Sequence, residues 1–178
     1  MEDIELSKLD SDILAGVNTT DKGNKAEFKL LDNGHKIVVF NLGGKVIYSE
    51  WINPTILMQL AEKIRIELAN IFPFIDIGEA IENLGMEQLL NNLLHLLKIS
   101  PDLTTEIVAN MNNFLYIIDN DNKIKYSTTT SHLFYEDYLE VYEMLSLFCK
   151  IHFIKPLQER NYLSMQKGQE IVKALKKQ

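Results

Sequence analysis

The sequence has little cysteine, a shortage of positive charge and no long apolar run, and each scarcity narrows what the chain can be. Cys149 is the only cysteine among 178 residues. No internal disulfide can form, which fits a reducing compartment. Lysine and arginine number 18 against 25 aspartates and glutamates, a formal net charge of -7. Such a chain is repelled by phosphate backbones, so nucleic acid is a poor partner. The one basic run, Lys173, Lys176 and Lys177, suits the negative end of a last helix. No stretch is long and apolar enough to suggest a membrane span. The leading MEDIELSKLDSD is acidic and lacks a signal-peptide apolar core. A soluble, cytoplasmic protein is expected.

Chemical motifs are equally scarce. Neither G-x-G-x-x-G nor G-x-x-x-x-G-K occurs, and Gly43-Gly44 opens no phosphate loop. The G-x-S-x-G nucleophile elbow is absent. His35, His95 and His132 are scattered, with no H-E-x-x-H spacing. Cys149 and His152 stand three apart on one helix, where they could share a face as a metal pair or as nucleophile and base. Two ligands do not make a site, so packing against neighbouring helices is the better reading. Asp119-Asn120-Asp121-Asn122 opens like a calcium loop, but Ile124 and Thr130 stand where that loop needs Gly and Glu. A hairpin turn is expected there. Glu136, Glu140 and Glu143 could bind metal or supply paired carboxylates, though a solvated helix face is the commoner cause of such a row. No catalytic residue, cofactor or metal is expected, and the chain is read as a non-enzyme.

What is present is apolar side chain in ordered patterns. The apolar fraction is 46% and the charged fraction 24%, enough for one folded domain with a sizeable core. Residues 1–25 read as a flexible or partner-dependent arm, with Ile4, Leu6, Leu9, Ile13 and Leu14 able to dock. Residues 26–31, 36–42 and 45–48 alternate like strands around Asp32-Asn33-Gly34 and Gly43-Gly44, predicting a small antiparallel meander. Asn53-Pro54 opens an amphipathic helix whose stripe runs from Leu57 to Phe72, and Pro73 ends it. Gly78 and Gly85 punctuate a short helix and then a leucine-rich one. Pro101 resets the chain, and residues 102–113 form a further helix. Residues 114–126 read as a hairpin. A long helix is expected from about 135 to 154, broken by Pro156. The predicted fold is α+β and mainly helical: an N-terminal meander, a helical middle, a short hairpin and a long C-terminal helix. Residues 26–157 would be one domain and 158–178 a helical tail.

Two apolar surfaces look larger than one interior needs. One is the leucine run with Leu89, Leu90, Leu93 and Leu97; the other is the aromatic row Phe134, Tyr138, Tyr142, Phe148 and Phe153. Leucine-broad and aromatic-rich helices belong to cores or to interfaces. With so few catalytic candidates, these nine residues become the expected partner-binding set.

The stretch His132-Leu133-Phe134-Tyr135-Glu136-Asp137-Tyr138-Leu139-Glu140-Val141, continuing to Lys150-Ile151-His152-Phe153-Ile154-Lys155-Pro156-Leu157, resembles the tail assembly chaperones of long-tailed bacteriophages. Phe134 and Phe153 match that pattern best; His152-Phe153 stands where an Asn-Phe pair belongs. The helices at 56–72 and 89–97 fit the family's helical middle, and the resemblance covers roughly residues 30–157. It implies a protein that binds the tape-measure protein, whose apolar helices would otherwise aggregate, and that is displaced by tail-tube subunits in the host cytoplasm. Homo-oligomer formation is open to such a surface. A structural virion component of the tail, neck or baseplate is the alternative, and a small enzyme with an unrecognised site the second alternative.

Overall fold

The computed structural model describes residues 17–18, 23–71, 86–156 and 159. Most of the expected arm at 1–25, the short helix before Gly85, and the tail at 158–178 other than residue 159 lie outside the described residues.

Turn chemistry sets the strands. β1 (Val17–Asn18), β2 (Lys25–Leu30), β3 (Lys36–Leu42) and β4 (Lys45–Ser49) run antiparallel in chain order. Between β3 and β4 only Gly43 and Gly44 intervene, with φ of 57° and 87°. A two-residue turn with both φ positive matches the right-handed strand twist, and glycine adopts it without steric strain. β5 (Leu115–Asp119) and β6 (Asn122–Lys125) are joined in the same way by Asn120 and Asp121, at φ 47° and 64°. Asn and Asp are the side chains that best tolerate that region.

The fold-class expectation is corrected in two respects. The meander and the hairpin are not separate pieces. Tyr48 pairs with Tyr116 and Ser49 with Leu115, so β4 and β5 join them into one six-stranded antiparallel sheet. The Glu50 N–H also donates to the Phe114 carbonyl at 2.9 Å, which extends the seam. Nor, among the described residues, is there a long regular C-terminal helix. Tyr135 is extended, and the helix α5 (Tyr138–Cys149) gives way to a π-helical segment, Lys150–Ile154. There the Lys155 N–H reaches back five residues to the Lys150 carbonyl. Residues 151 to 154 are all buried. Four consecutive buried positions cannot share one face of a regular helix, so this segment is surrounded by protein.

The remaining helices are α1 (Pro54–Ile71), α2 (Met86–Ile99), α3 (Pro101–Phe114) and the short α4 (Ser131–Phe134). The Asn53 side chain caps α1 by accepting from the Thr55 N–H at 2.9 Å, and Pro54 fills the first helical position. Asp137 caps α5, accepting from the Leu139 and Glu140 N–H groups at 2.8 and 3.1 Å.

One face of the sheet presents Ala26, Val38, Phe40, Ile47 and Leu115 to the helices. Leu60 and Ile64 of α1, Leu90, Leu93, Leu96 and Leu97 of α2, and Leu103, Ile107 and Met111 of α3 meet it in a single core. Met144, Leu145, Leu147 and Phe148 of α5 complete that core. Each such side chain contributes about 1.5–3 kcal/mol of transfer free energy. Among the described residues, no helix is long and apolar enough to cross a membrane.

Candidate binding groove

The core swallows most of the residues expected to bind a partner. Leu90, Leu93 and Leu97 are buried between α2 and the rest of the fold, as are Phe134, Phe148 and Phe153. These six are therefore interior packing in this conformation and offer no surface. The physical reason is that α2 is surrounded by other helices: it packs against α1, α3, α5 and the π-helical segment, so its leucines face protein on several sides. Leu89 lies on α2, and its side chain falls outside the described residues. Tyr138 and Tyr142 are different. They are 70% and 45% exposed.

Those two tyrosines stand four apart, on one face of α5. Together with Val141 and Leu145 they form one wall of a groove. The other wall is α3, through Thr104, Thr105, Val108, Ala109 and Asn112. The groove measures about 420 Å³. No charged side chain lines it. Two of its polar side chains, Thr104 and Asn112, are already engaged. Thr104 Oγ1 donates to the Ser100 carbonyl at 3.1 Å and contacts that of Leu97. Asn112 Oδ1 accepts from the buried Tyr135 hydroxyl at 2.9 Å. Burial raises the Tyr135 hydroxyl well above its ordinary pKa, so it remains the donor. What the groove mainly offers an occupant is methyl groups and ring faces, with the hydroxyls of Thr105, Tyr138 and Tyr142 beside them. Contact of that kind selects apolar side chains.

A second hollow, between α1 and α3, is less apolar. It is lined by Ile56, Met58, Gln59, Leu60, Glu62, Lys63, Glu106 and Asn110, and the Lys63–Glu106 ion pair stands in it.

The pattern that flagged Tyr138 and Tyr142 overlooked the α3 wall. The available signal was the small or short side chains Thr104, Thr105, Val108 and Ala109, which recur at helical spacing and leave room beside large rings.

Cys149 and His152 form no reactive pair. Cys149 is fully buried, and burial pushes its thiol far above the usual range, so the nucleophilic thiolate is suppressed. His152 is buried against the rings of Phe148, at 4.6 Å, and Phe28, at 6.1 Å. Burial lowers its imidazole to about 4.

Glu136, Glu140 and Glu143 are neither a metal site nor a bare solvated row. Glu140 and Glu136 hold the Lys45 amine at 2.9 and 3.2 Å. Burial alone would lower that amine, but the two carboxylates outweigh it and raise its pKa. Glu143 accepts from Asn24 at 2.9 Å, and Asn24 in turn accepts from the Gly43 N–H at 2.8 Å. The row thus fastens α5 to the start of β2 and to the β3–β4 turn. Among the described residues, no group of three or more His, Cys, Asp or Glu side chains is placed to hold a metal ion.

No protein family, curated protein or solved structure matches this chain.

Proposed function

We propose that this chain is a binding protein, not a catalyst, and that its groove between α3 and α5 takes a short apolar helical segment of a partner protein. The observation that carries this reading is the pair of exposed rings, Tyr138 and Tyr142, on the wall of a groove whose Thr104 and Asn112 polar atoms are satisfied internally. From Tyr138 to Leu145 the wall spans roughly 10 Å, at about 1.5 Å per residue. That is two helical turns, long enough for apolar anchors at i, i+3 or i+4, and i+7, the helix-in-groove mode of recognition. Tyrosine suits such a wall because it supplies a large contact area at low entropic cost.

The resemblance to tail assembly chaperones gives this reading a specific form. The partner would be the tape-measure protein, an extended helical chain, released to tail-tube subunits in the host cytoplasm. A groove of two turns supports brief, reversible contacts along such a partner better than one large permanent interface. A structural component of the particle is the second reading, and it differs in remaining in the finished assembly. Co-expression with a long helical tape-measure protein tests the proposal. The chain is expected to co-purify with it, and Ala109→Trp, which fills the groove from its exposed rim, is expected to abolish co-purification. Retention by the Ala109→Trp variant refutes the groove.

A further inference from the structure

The sheet is apolar on both faces. Side chains alternate across a strand, yet β3 reads Ile37-Val38-Val39-Phe40 without a break, β4 reads Val46-Ile47-Tyr48, and β5 reads Leu115-Tyr116-Ile117-Ile118. An antiparallel sheet with one wet face alternates apolar with polar, whereas strands covered on both faces read as continuous apolar runs. The helices account for one side, that of Val38, Phe40, Ile47 and Leu115. The other side carries Ile37, Val39, Val46, Tyr48, Tyr116 and Ile118. Ile37, Val39 and Tyr116 are buried there although they stand outside the helical core, and Val46 and Ile118 beside them are 44% and 54% exposed. Tyr48 stacks on Tyr116 with ring centroids 5.3 Å apart, which joins the strip across the β4–β5 seam.

Lysines frame this strip. Lys25 and Lys29 of β2 stand on one flank, on the outer side by alternation with Ala26 and Phe28. Lys123 and Lys125 of β6 stand on the other flank, by alternation with Ile124, which pairs with Ile117. Glu27 meets the first two lysines at 4.0 and 3.4 Å, and Glu50 meets the other two. Four ammonium groups share two carboxylates, so the rim keeps a positive surplus on a chain whose net charge is -7.

We propose that residues 1–16 of this chain lie across that outer face and form its second layer. They carry five acids, Glu2, Asp3, Glu5, Asp10 and Asp12, against Lys8 alone, which complements the lysine rim. Ile4, Leu6, Leu9, Ile13 and Leu14 supply the apolar contacts. The tether is in place: β1 follows directly and pairs with β2 at the edge of the sheet. From β1 to β5 is four strand spacings, roughly 19 Å, and a chain of this length reaches about 50 Å when extended. Two other segments fit less well. Residues 160–178 hold Arg160, Lys167, Lys173, Lys176 and Lys177 against Glu170, and the rim repels them. Residues 72–85 are tied at both ends to α1 and α2, on the helical side.

A nitroxide placed on the arm of the full chain tests this. Cys149 is fully buried and does not compete for the label, so Ser7→Cys gives a single site. Methyl NMR signals are compared before and after the nitroxide is reduced. The Val46 and Ile118 methyls are expected to lose most of their intensity to the spin label, while those of Val108, in the groove between α3 and α5, keep theirs. Leu6→Gln combined with Leu9→Gln is expected to restore the lost intensity. Mixing spin-labelled chain with isotope-labelled chain that carries no nitroxide separates the sources. Loss at Val46 and Ile118 in that mixture means that the arm reaches a second copy, and it overturns the proposal. Unchanged Val46 and Ile118 signals in the spin-labelled chain itself, equal loss at Val108, or loss that survives the double glutamine variant overturns it as well.

Discussion

Lowering the pH from 7 to 5 should weaken this fold through one side chain, His152. Its imidazole is buried at the π-helical segment, packed on Phe148 and edge-on to Phe28, and its Nε2 has no hydrogen-bond partner among the described residues. The Lys155 ammonium stands 5.5 Å from the same Phe28 ring, where burial lowers the amine. A proton on His152 would place a second positive charge beside that ring in a low-dielectric interior. Burial accordingly shifts the imidazole from 6.5 down to about 4. The folded state then resists the proton and the unfolded chain accepts it. Stability from this group is complete above about pH 6.5 and falls as the pH drops toward 4. At pH 5 the unfolded state gains roughly 30-fold over the folded one, which is about 2 kcal/mol, with a limit of about 3 kcal/mol at lower pH. Glu50 works in a lower window: its hydrogen bond from Lys123 depresses its carboxyl below 4.5, so its contribution is lost only under more acid conditions. Urea unfolding of the native chain and of His152→Leu at pH 7 and pH 5 isolates the histidine. The stability gap between the two proteins should move by about 2 kcal/mol in favour of the leucine variant at pH 5. A gap that stays constant between the two pH values refutes the argument.

Three further outcomes follow from the packing. Phe148→Ala removes a fully buried ring that touches His152 and Phe153, and should cost about 3–5 kcal/mol in denaturant unfolding. Asp137→Ala leaves two N–H groups at the start of α5 uncapped and should lower stability by about 1 kcal/mol, with Asp137→Asn recovering most of it. Tyr142→Ala removes a ring that is 45% exposed; its thermal midpoint should change little while groove binding weakens markedly, and a large loss of stability would instead make the ring structural.

Much of the local structure was legible because it is decided by a few adjacent residues. Gly43-Gly44 dictates a tight turn through its allowed φ values, whatever lies elsewhere. Asn53-Pro54 starts α1 because its cap and its first residue are both in the sequence. The groove was half legible. Tyr138 and Tyr142 stood out by type and spacing, yet Phe134 and Phe148 stood out equally, and those proved to be core. A helical period reports that a face is apolar, but not what covers it. The α3 wall gave no strong signal, since small side chains mark room only once a neighbour is known to stand beside them.

The sequence by itself determined the turns, the helix starts and the lack of familiar catalytic motifs, because each depends on backbone preference or chemistry within a few residues. Only the tertiary structure decided that β4 pairs with β5, through Tyr48 with Tyr116 and Ser49 with Leu115, at positions far apart in the chain. Packing of α2 against α1, α3, α5 and the π-helical segment likewise consumed its leucines, and the phenylalanines around α5 joined the same core. Tyr138 and Tyr142 were left outside, because the inward face of α5 was already filled by Met144, Leu145 and Phe148. Burial is a property of the whole arrangement: the same type of side chain becomes core or surface according to which distant residues arrive to meet it.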